Sequence, residues 1–119
     1  MTKKPKDPAV YVEDMLIENH FIEEALSVGS LYDATMSRAI LRSFTVLGEA
    51  VKRIDNTTRK KALDIPWQKI IDVRNLLSHD YEEINLQKIE EIVDNHLPSL
   101  KKELLVLYTT LTGNDYYAH

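Results

Sequence analysis

The chain contains no cysteine. This excludes disulfide bonds and thiolate chemistry, together with every zinc site that needs sulfur ligands. Glycine and proline are also scarce, with 3 and 4 among 119 residues, which argues against a turn-rich β protein. No apolar run has the length of a membrane span, and residues 1–6 are a charged start without a signal-peptide core. We therefore expect a cytoplasmic protein without membrane contacts.

The remaining composition is typical of one helical domain. Hydrophobic residues make up 44% and charged residues 29% of the chain, and this length suits a single core. We expect one domain over residues 1–119, with an N-terminal tail at 1–6 and a loose C-terminal tail at 112–119. The net charge of −4 argues against an extended nonspecific nucleic-acid surface, but it permits a local basic pocket. The short lysine and arginine runs at 3–6, 53–61 and 101–102 are interpreted as solvated surface.

Hydrophobic periodicity predicts four amphipathic helices. Asp7-Pro8 suits a helix start and Gly29 a stop, while Asn85 is a plausible N-cap for the last helix. Gly48, in the middle of the second helix, suggests close packing against a neighbouring helix. The predicted segments run from Pro8 to Gly29, from Ser30 to a break at 55–57, from a start marked by Asp64-Ile65-Pro66-Trp67 to about Ser78, and from Leu86 to Leu111.

Short connections between amphipathic helices favour an all-α, antiparallel four-helix bundle. Pro98 lies inside the leucine stripe of the last helix and removes one backbone donor there. We therefore predict a kink or a short break near residues 95–97.

The candidate chemistry is concentrated at residues 74–81. Asn75 and His79 are four residues apart and share a helix face, and Arg74 lies about 100° from Asn75 with a side chain long enough to reach the same region. Arginine offers a permanent cation to phosphate oxygens, and histidine exchanges protons near neutral pH, so the pair suits phosphodiester cleavage. A purely structural role explains the same residues. The histidine could bond the last backbone carbonyls of the helix, and the arginine could offset the negative end of the helix dipole. The residue types alone leave both interpretations open.

Four sequence motifs occur in the same order as in a known protein family. Arg74, His79 and Tyr81 form an Arg-x4-His-x-Tyr pattern, preceded by a Pro66-Trp67 helix start. Leu47-Gly48-Glu49-Ala50 comes earlier and Asn95-His96-Leu97-Pro98 later. Together they cover most of the chain and resemble HepT-type toxins of the HEPN superfamily.

This resemblance implies a HEPN-like bundle that forms a homodimer, in which two copies of the motif face each other across one ribonuclease cleft. The implied reaction is metal-independent RNA cleavage without a cofactor, in which the ribose 2′-hydroxyl attacks the adjacent phosphorus and leaves a cyclic phosphate. His79 would act as general base or acid, Arg74 would stabilise the transition state, and Asn75 would support them.

Tyr81 has a regulatory role in the implied scheme. In a type VII-like toxin–antitoxin system, an MntA-like nucleotidyltransferase antitoxin would use ATP to AMPylate Tyr81 and silence the toxin. Alternatively, Tyr81 packs at a helix end and is not a site of modification. For the whole chain, two alternatives stay open: a noncatalytic helical subunit that binds substrate or partner for a nucleotidyltransferase, and a purely structural bundle.

Overall fold

The computed structural model describes residues 7–79 and 84–118. Within these ranges the chain is helical and contains no strand, which confirms the all-α prediction. No helix in the described ranges is both long and apolar enough to cross a bilayer. The elements are α1 (Pro8–Val28), α2 (Ala34–Lys52), the single turn α3 (Asn56–Arg59), α4 (Trp67–His79) and α5 (Leu86–Thr112).

Polar side chains fix the starts of four of these helices. The Asp7 carboxylate accepts the Ala9 N–H at 2.9 Å, and Asp55 accepts the Thr58 N–H at 3.2 Å. Asn85 caps α5 as predicted, accepting the Gln87 N–H at 3.0 Å. Each bond satisfies one of the backbone donors that a helix leaves free at its N-terminus.

The second helix begins later than its sequence pattern indicated. Ser30 does not start it, because the Ser30 hydroxyl instead accepts the Tyr32 N–H within a turn. Asp33 is the true N-cap, and its carboxylate accepts from both Thr35 and Met36. An aspartate that satisfies two free donors is a better cap here than a serine engaged in a local turn.

The helix α5 runs through Pro98 without interruption, so the predicted alternative of a short break is wrong. A proline inside a helix costs about 3 kcal/mol, and buried contacts on both sides offset this loss. Leu97 and Leu100 are buried in the core. The buried Asn19 of α1 also donates its amide N–H to the Leu97 carbonyl at 3.2 Å, which joins the two helices next to the proline.

The helices pack in the spatial order α4, α2, α1, α5. Helix α2 packs against α4 on one side and α1 on the other, and α1 also packs against α5. Arg59 donates to the Val51 carbonyl at 2.7 Å, and the Trp67 indole donates to the Arg59 carbonyl at 3.3 Å. These bonds join the end of α2 to the beginning of α4. Helix α4 therefore runs back antiparallel along α2.

A groove separates α4 from α5, with α2 as its floor. Its volume is ≈ 390 Å³. Apolar side chains of three helices line it, including Phe44, Leu47, Ile70, Val73, Ile92 and Leu100. The apolar residues of α4 therefore face this groove and the core, and Lys69 and Asp72 of the same helix also line the groove.

The segment after α5 contacts the helices through Tyr116, which the sequence did not indicate. Gly113 ends α5 with a left-handed φ of 76°. The Tyr116 ring then lies edge-on to Tyr108, with centroids 5.2 Å apart. Burial raises the pKa of the Tyr116 phenol above its ordinary value.

Candidate functional site

The predicted site residues lie at the C-terminal end of α4, whose last residue is His79. The structure describes Arg74 and Asn75 completely. The imidazole of His79 and all of Tyr81 lie outside the described part of the chain. The geometry of the candidate site therefore rests on the Arg74–Asn75 pair and its surroundings.

Arg74 lies against the glycine in the middle of α2. A Cβ atom at Gly48 would collide with the Arg74 Cβ, and it would lie 2.6 Å from the Arg74 Cγ and 3.3 Å from the Ile70 carbonyl oxygen. Only a residue without a side chain permits this approach. Helix α4 can therefore pack its backbone against α2 at the turn that carries Arg74, as the position of Gly48 in the sequence suggested.

The stem of Arg74 is covered, and its guanidinium extends to the edge of the helix pair. Its Nε atom is buried and has no hydrogen-bond partner, whereas Nη1 donates to Oδ1 of the Asn75 side chain at 3.2 Å. Within the described ranges, the two ion pairs are His20–Glu24 and Lys101–Glu23, so no described carboxylate neutralises Arg74. A half-buried cation without a counter-ion favours a nearby anion.

Asn75 orients the guanidinium and adds a donor of its own. Its side-chain Oδ1 accepts from Arg74, and in the described ranges no protein acceptor takes the N–H groups of its side-chain Nδ2. The exposed Ser78 hydroxyl donates to the Arg74 backbone carbonyl one turn earlier, at 3.0 Å. The free groups around Arg74 and Asn75 are therefore hydrogen-bond donors, as required to bind a phosphate or another oxyanion.

No group of three or more histidine, cysteine, aspartate or glutamate side chains in the described ranges is placed to hold a metal ion. The described carboxylate closest in sequence to Arg74 is Asp72, which accepts a hydrogen bond from the Gln68 amide at 2.9 Å. The chemistry of the described site residues thus depends on arginine and amide donors.

Comparison with known proteins finds one family and several relatives that are similar to most of this chain. Residues 12–107 match the sequence model of the family described as HepT-like ribonucleases. A protein of Caldanaerobacter subterraneus subsp. tengcongensis named "Putative RNase" is 33% identical over 83% of this chain and 92% of its own length. A "Probable ribonuclease HepT" of Thermococcus cleftensis is 31% identical over 85% of this chain and 93% of its own length.

A third relative is longer than this chain. It is a Methanocaldococcus jannaschii protein named "Gamma-glutamylcyclotransferase and putative RNase", 29% identical over 92% of this chain. The match spans only 51% of that relative. No solved structure gives a significant match.

The packing at Gly48 predicts the effect of adding one methyl group. We expect Gly48→Ala to lower the free energy of unfolding by about 1–3 kcal/mol, because α2 and α4 must separate, although alanine is the better helix former by about 1 kcal/mol. Urea unfolding measures this change.

Gly29→Ala is the matched control. Its added methyl would meet only the flexible side chain of Met36, at 2.8 Å from Cγ, and Gly29 has an extended backbone that alanine adopts readily. Equal stability losses in the two variants would contradict the proposed close approach.

Proposed function

We propose that this chain, which belongs to the HepT-like ribonuclease family, is a metal-independent endoribonuclease and the toxin of a type VII-like toxin–antitoxin pair. The observation that supports this most directly is the Arg74 guanidinium, which is held by Asn75 and has no described carboxylate partner. An arginine that only stabilised the fold would more usually be ion-paired or solvated. An arginine that binds substrate keeps its donors free for a phosphate.

In the proposed reaction, the ribose 2′-hydroxyl attacks the neighbouring phosphorus. His79 accepts the hydroxyl proton as general base, and the bond from phosphorus to the 5′-oxygen breaks. The 5′-oxygen receives a proton, and the products are a 2′,3′-cyclic phosphate and a 5′-hydroxyl. Arg74 stabilises the extra negative charge on the phosphate oxygens, and the Asn75 amide keeps the guanidinium in place.

The proposed mechanism uses two subunits. General base and general acid roles require two groups in complementary protonation states, and each chain contributes one Arg74–His79 motif. We therefore propose a homodimer in which the partner's motif supplies the second proton-transfer group.

Control of this activity is proposed at Tyr81, two residues beyond His79. Transfer of AMP from ATP by a nucleotidyltransferase antitoxin would place a bulky, negatively charged group beside the site. That group would block the cleft and repel RNA phosphates.

The proposed nuclease activity predicts RNA cleavage in the presence of a chelator. We expect the wild type to cleave a single-stranded RNA, and His79→Ala to lose about 10²-fold to 10⁴-fold in kcat, the usual contribution of a general base. Arg74→Lys keeps the charge but loses the forked donor geometry and should also reduce kcat. Asp72→Asn is a control on the same helix. Wild-type cleavage no faster than that of His79→Ala, with the dimer intact, would favour a noncatalytic binding subunit.

Subunit mixing tests whether both motifs serve one site. Wild-type protein is re-equilibrated with increasing amounts of His79→Ala, and cleavage is measured at a constant wild-type concentration. If two His79 residues act together, activity falls as inactive heterodimers form. Constant activity would contradict the composite site, provided that light scattering confirms dimers and tagged subunits confirm exchange.

Coexpression with a neighbouring nucleotidyltransferase gene tests the control step. We expect intact mass to increase in steps of one AMP group, and the modified protein to lose RNA cleavage. Tyr81→Phe should remain unmodified and active. Tyr32→Phe removes an exposed tyrosine elsewhere and should not change the pattern, whereas modification that persists in Tyr81→Phe would exclude Tyr81 as the acceptor.

A further inference from the structure

A row of arginines follows one exposed face of α2. Arg38, Arg42 and Arg53, which is the C-cap of α2, are exposed, and the partly buried Thr45 and Glu49 lie between them. Successive members of this row are separated by four, three, four and four residues, the spacing that places side chains on one face of a helix. We call these five residues the α2 row.

The antiparallel packing brings one end of this row level with the candidate site. Gly48 lies opposite Arg74, and at 1.5 Å per residue Arg42 lies about 9 Å from Gly48 towards the N-terminus of α2. Residue 79 lies about 7.5 Å beyond Arg74 in the same direction, because α4 runs the opposite way. Arg42 is therefore level with the end of α4, and Arg38 lies about 6 Å further on.

The α2 row and Asn75 face the same side of the molecule. The buried side of α2, with Phe44 and Leu47, and the apolar side of α4, with Val73, both border the groove beside α5. The α2 row and Asn75 lie on the sides of these two helices turned away from that groove. The exposed arginines and the Arg74–Asn75 pair thus share one outer surface.

The arginines of the α2 row are not neutralised by described neighbours. The i,i+4 spacing of Glu49 and Arg53 allows an ion pair, but the two ion pairs in the described ranges lie elsewhere. The Asp33 carboxylate, near the other end of α2, is occupied by two backbone N–H groups. The surface beside Arg38 and Arg42 is therefore open to an anionic ligand, although the net charge of the chain is −4.

We propose that Arg42 and Arg38 bind successive backbone phosphates of a single RNA strand that extends from the Arg74–Asn75 pair along the N-terminal half of α2. The proposal rests on the proposed function, because it assumes that the Arg74–Asn75 pair holds a phosphate of the same strand. Arginine contacts to phosphate position a strand without reading bases. Binding along this path depends on strand length and salt concentration and is independent of sequence.

The test measures binding without cleavage, so that it does not depend on the nuclease reaction. A fluorescent 2′-O-methyl RNA of ten nucleotides lacks the attacking hydroxyl, and its Kd is measured by polarisation at several salt concentrations. Loss of one phosphate contact should lower the slope of log Kd against log salt concentration by about 0.7. The same loss should raise Kd about fivefold near 0.1 M salt. Arg42→Ala and Arg38→Ala should each show this effect, and Arg42→Lys should keep the slope.

Arg53→Ala is the matched control. It removes the same charge from the same face, at the end of α2 that lies away from the end of α4, and it should leave Kd nearly unchanged. A 2′-O-methyl dinucleotide, too short to reach Arg38, should bind wild type and Arg38→Ala equally.

Three outcomes would overturn the proposed strand path. Equal weakening by Arg53→Ala and Arg42→Ala would indicate a general charge effect, and unchanged Kd in both Arg38→Ala and Arg42→Ala would exclude the path. Loss of the dimer in Arg42→Ala, detected by light scattering, would assign this arginine to a protein interface. If wild type binds the oligonucleotide through Arg42 but cuts no RNA, the strand path stands and the nuclease proposal fails.

Discussion

The close approach of α2 and α4 at Gly48 is the contact on which the rest of the arrangement depends. It covers the stem of Arg74 and leaves the guanidinium at the edge of the helix pair, within reach of Asn75. It also sets the register of the two helices, which places Arg42 level with the end of α4. A larger residue at position 48 would change both the direction of Arg74 and its height relative to α2.

Stability and the proposed chemistry place opposing demands on Arg74. A buried Nε without a partner lowers the stability of the fold by about 1–3 kcal/mol. No described carboxylate forms an ion pair with Arg74 that would offset this loss. The guanidinium binds Asn75 through its outer nitrogen Nη1 and has no carboxylate partner in the described ranges. A carboxylate partner would have stabilised the fold and occupied the donors that a phosphate requires.

The features that depend on local sequence patterns could be predicted from the sequence. The caps at Asp7 and Asn85 and the four long helices follow from residue type and periodicity, and the structure confirms them. The sequence did not predict that Asp33 caps α2 in place of Ser30. Which of the two residues becomes the cap depends on the hydrogen bonds that their side chains form in the folded chain. The sequence indicated close packing at Gly48 but could not identify Arg74 as the neighbour. The sequence did not indicate a basic surface at Arg38 and Arg42, because the two arginines do not form a run of positive charge. They become neighbours only on the surface of the folded helix.

The distribution of charge between α1 and α2 affects how the protein meets an RNA. Helix α1 carries five carboxylates and no lysine or arginine, and it packs against α2, which carries the exposed arginines Arg38 and Arg42. The negative charges of α1 and the exposed arginines of α2 thus belong to two neighbouring helices, and this uneven distribution gives the helix pair an electric dipole despite the modest net charge of the chain. In the field of a polyanion, such a dipole turns the α2 surface forward before contact, and this orientation raises the association rate most strongly at low ionic strength.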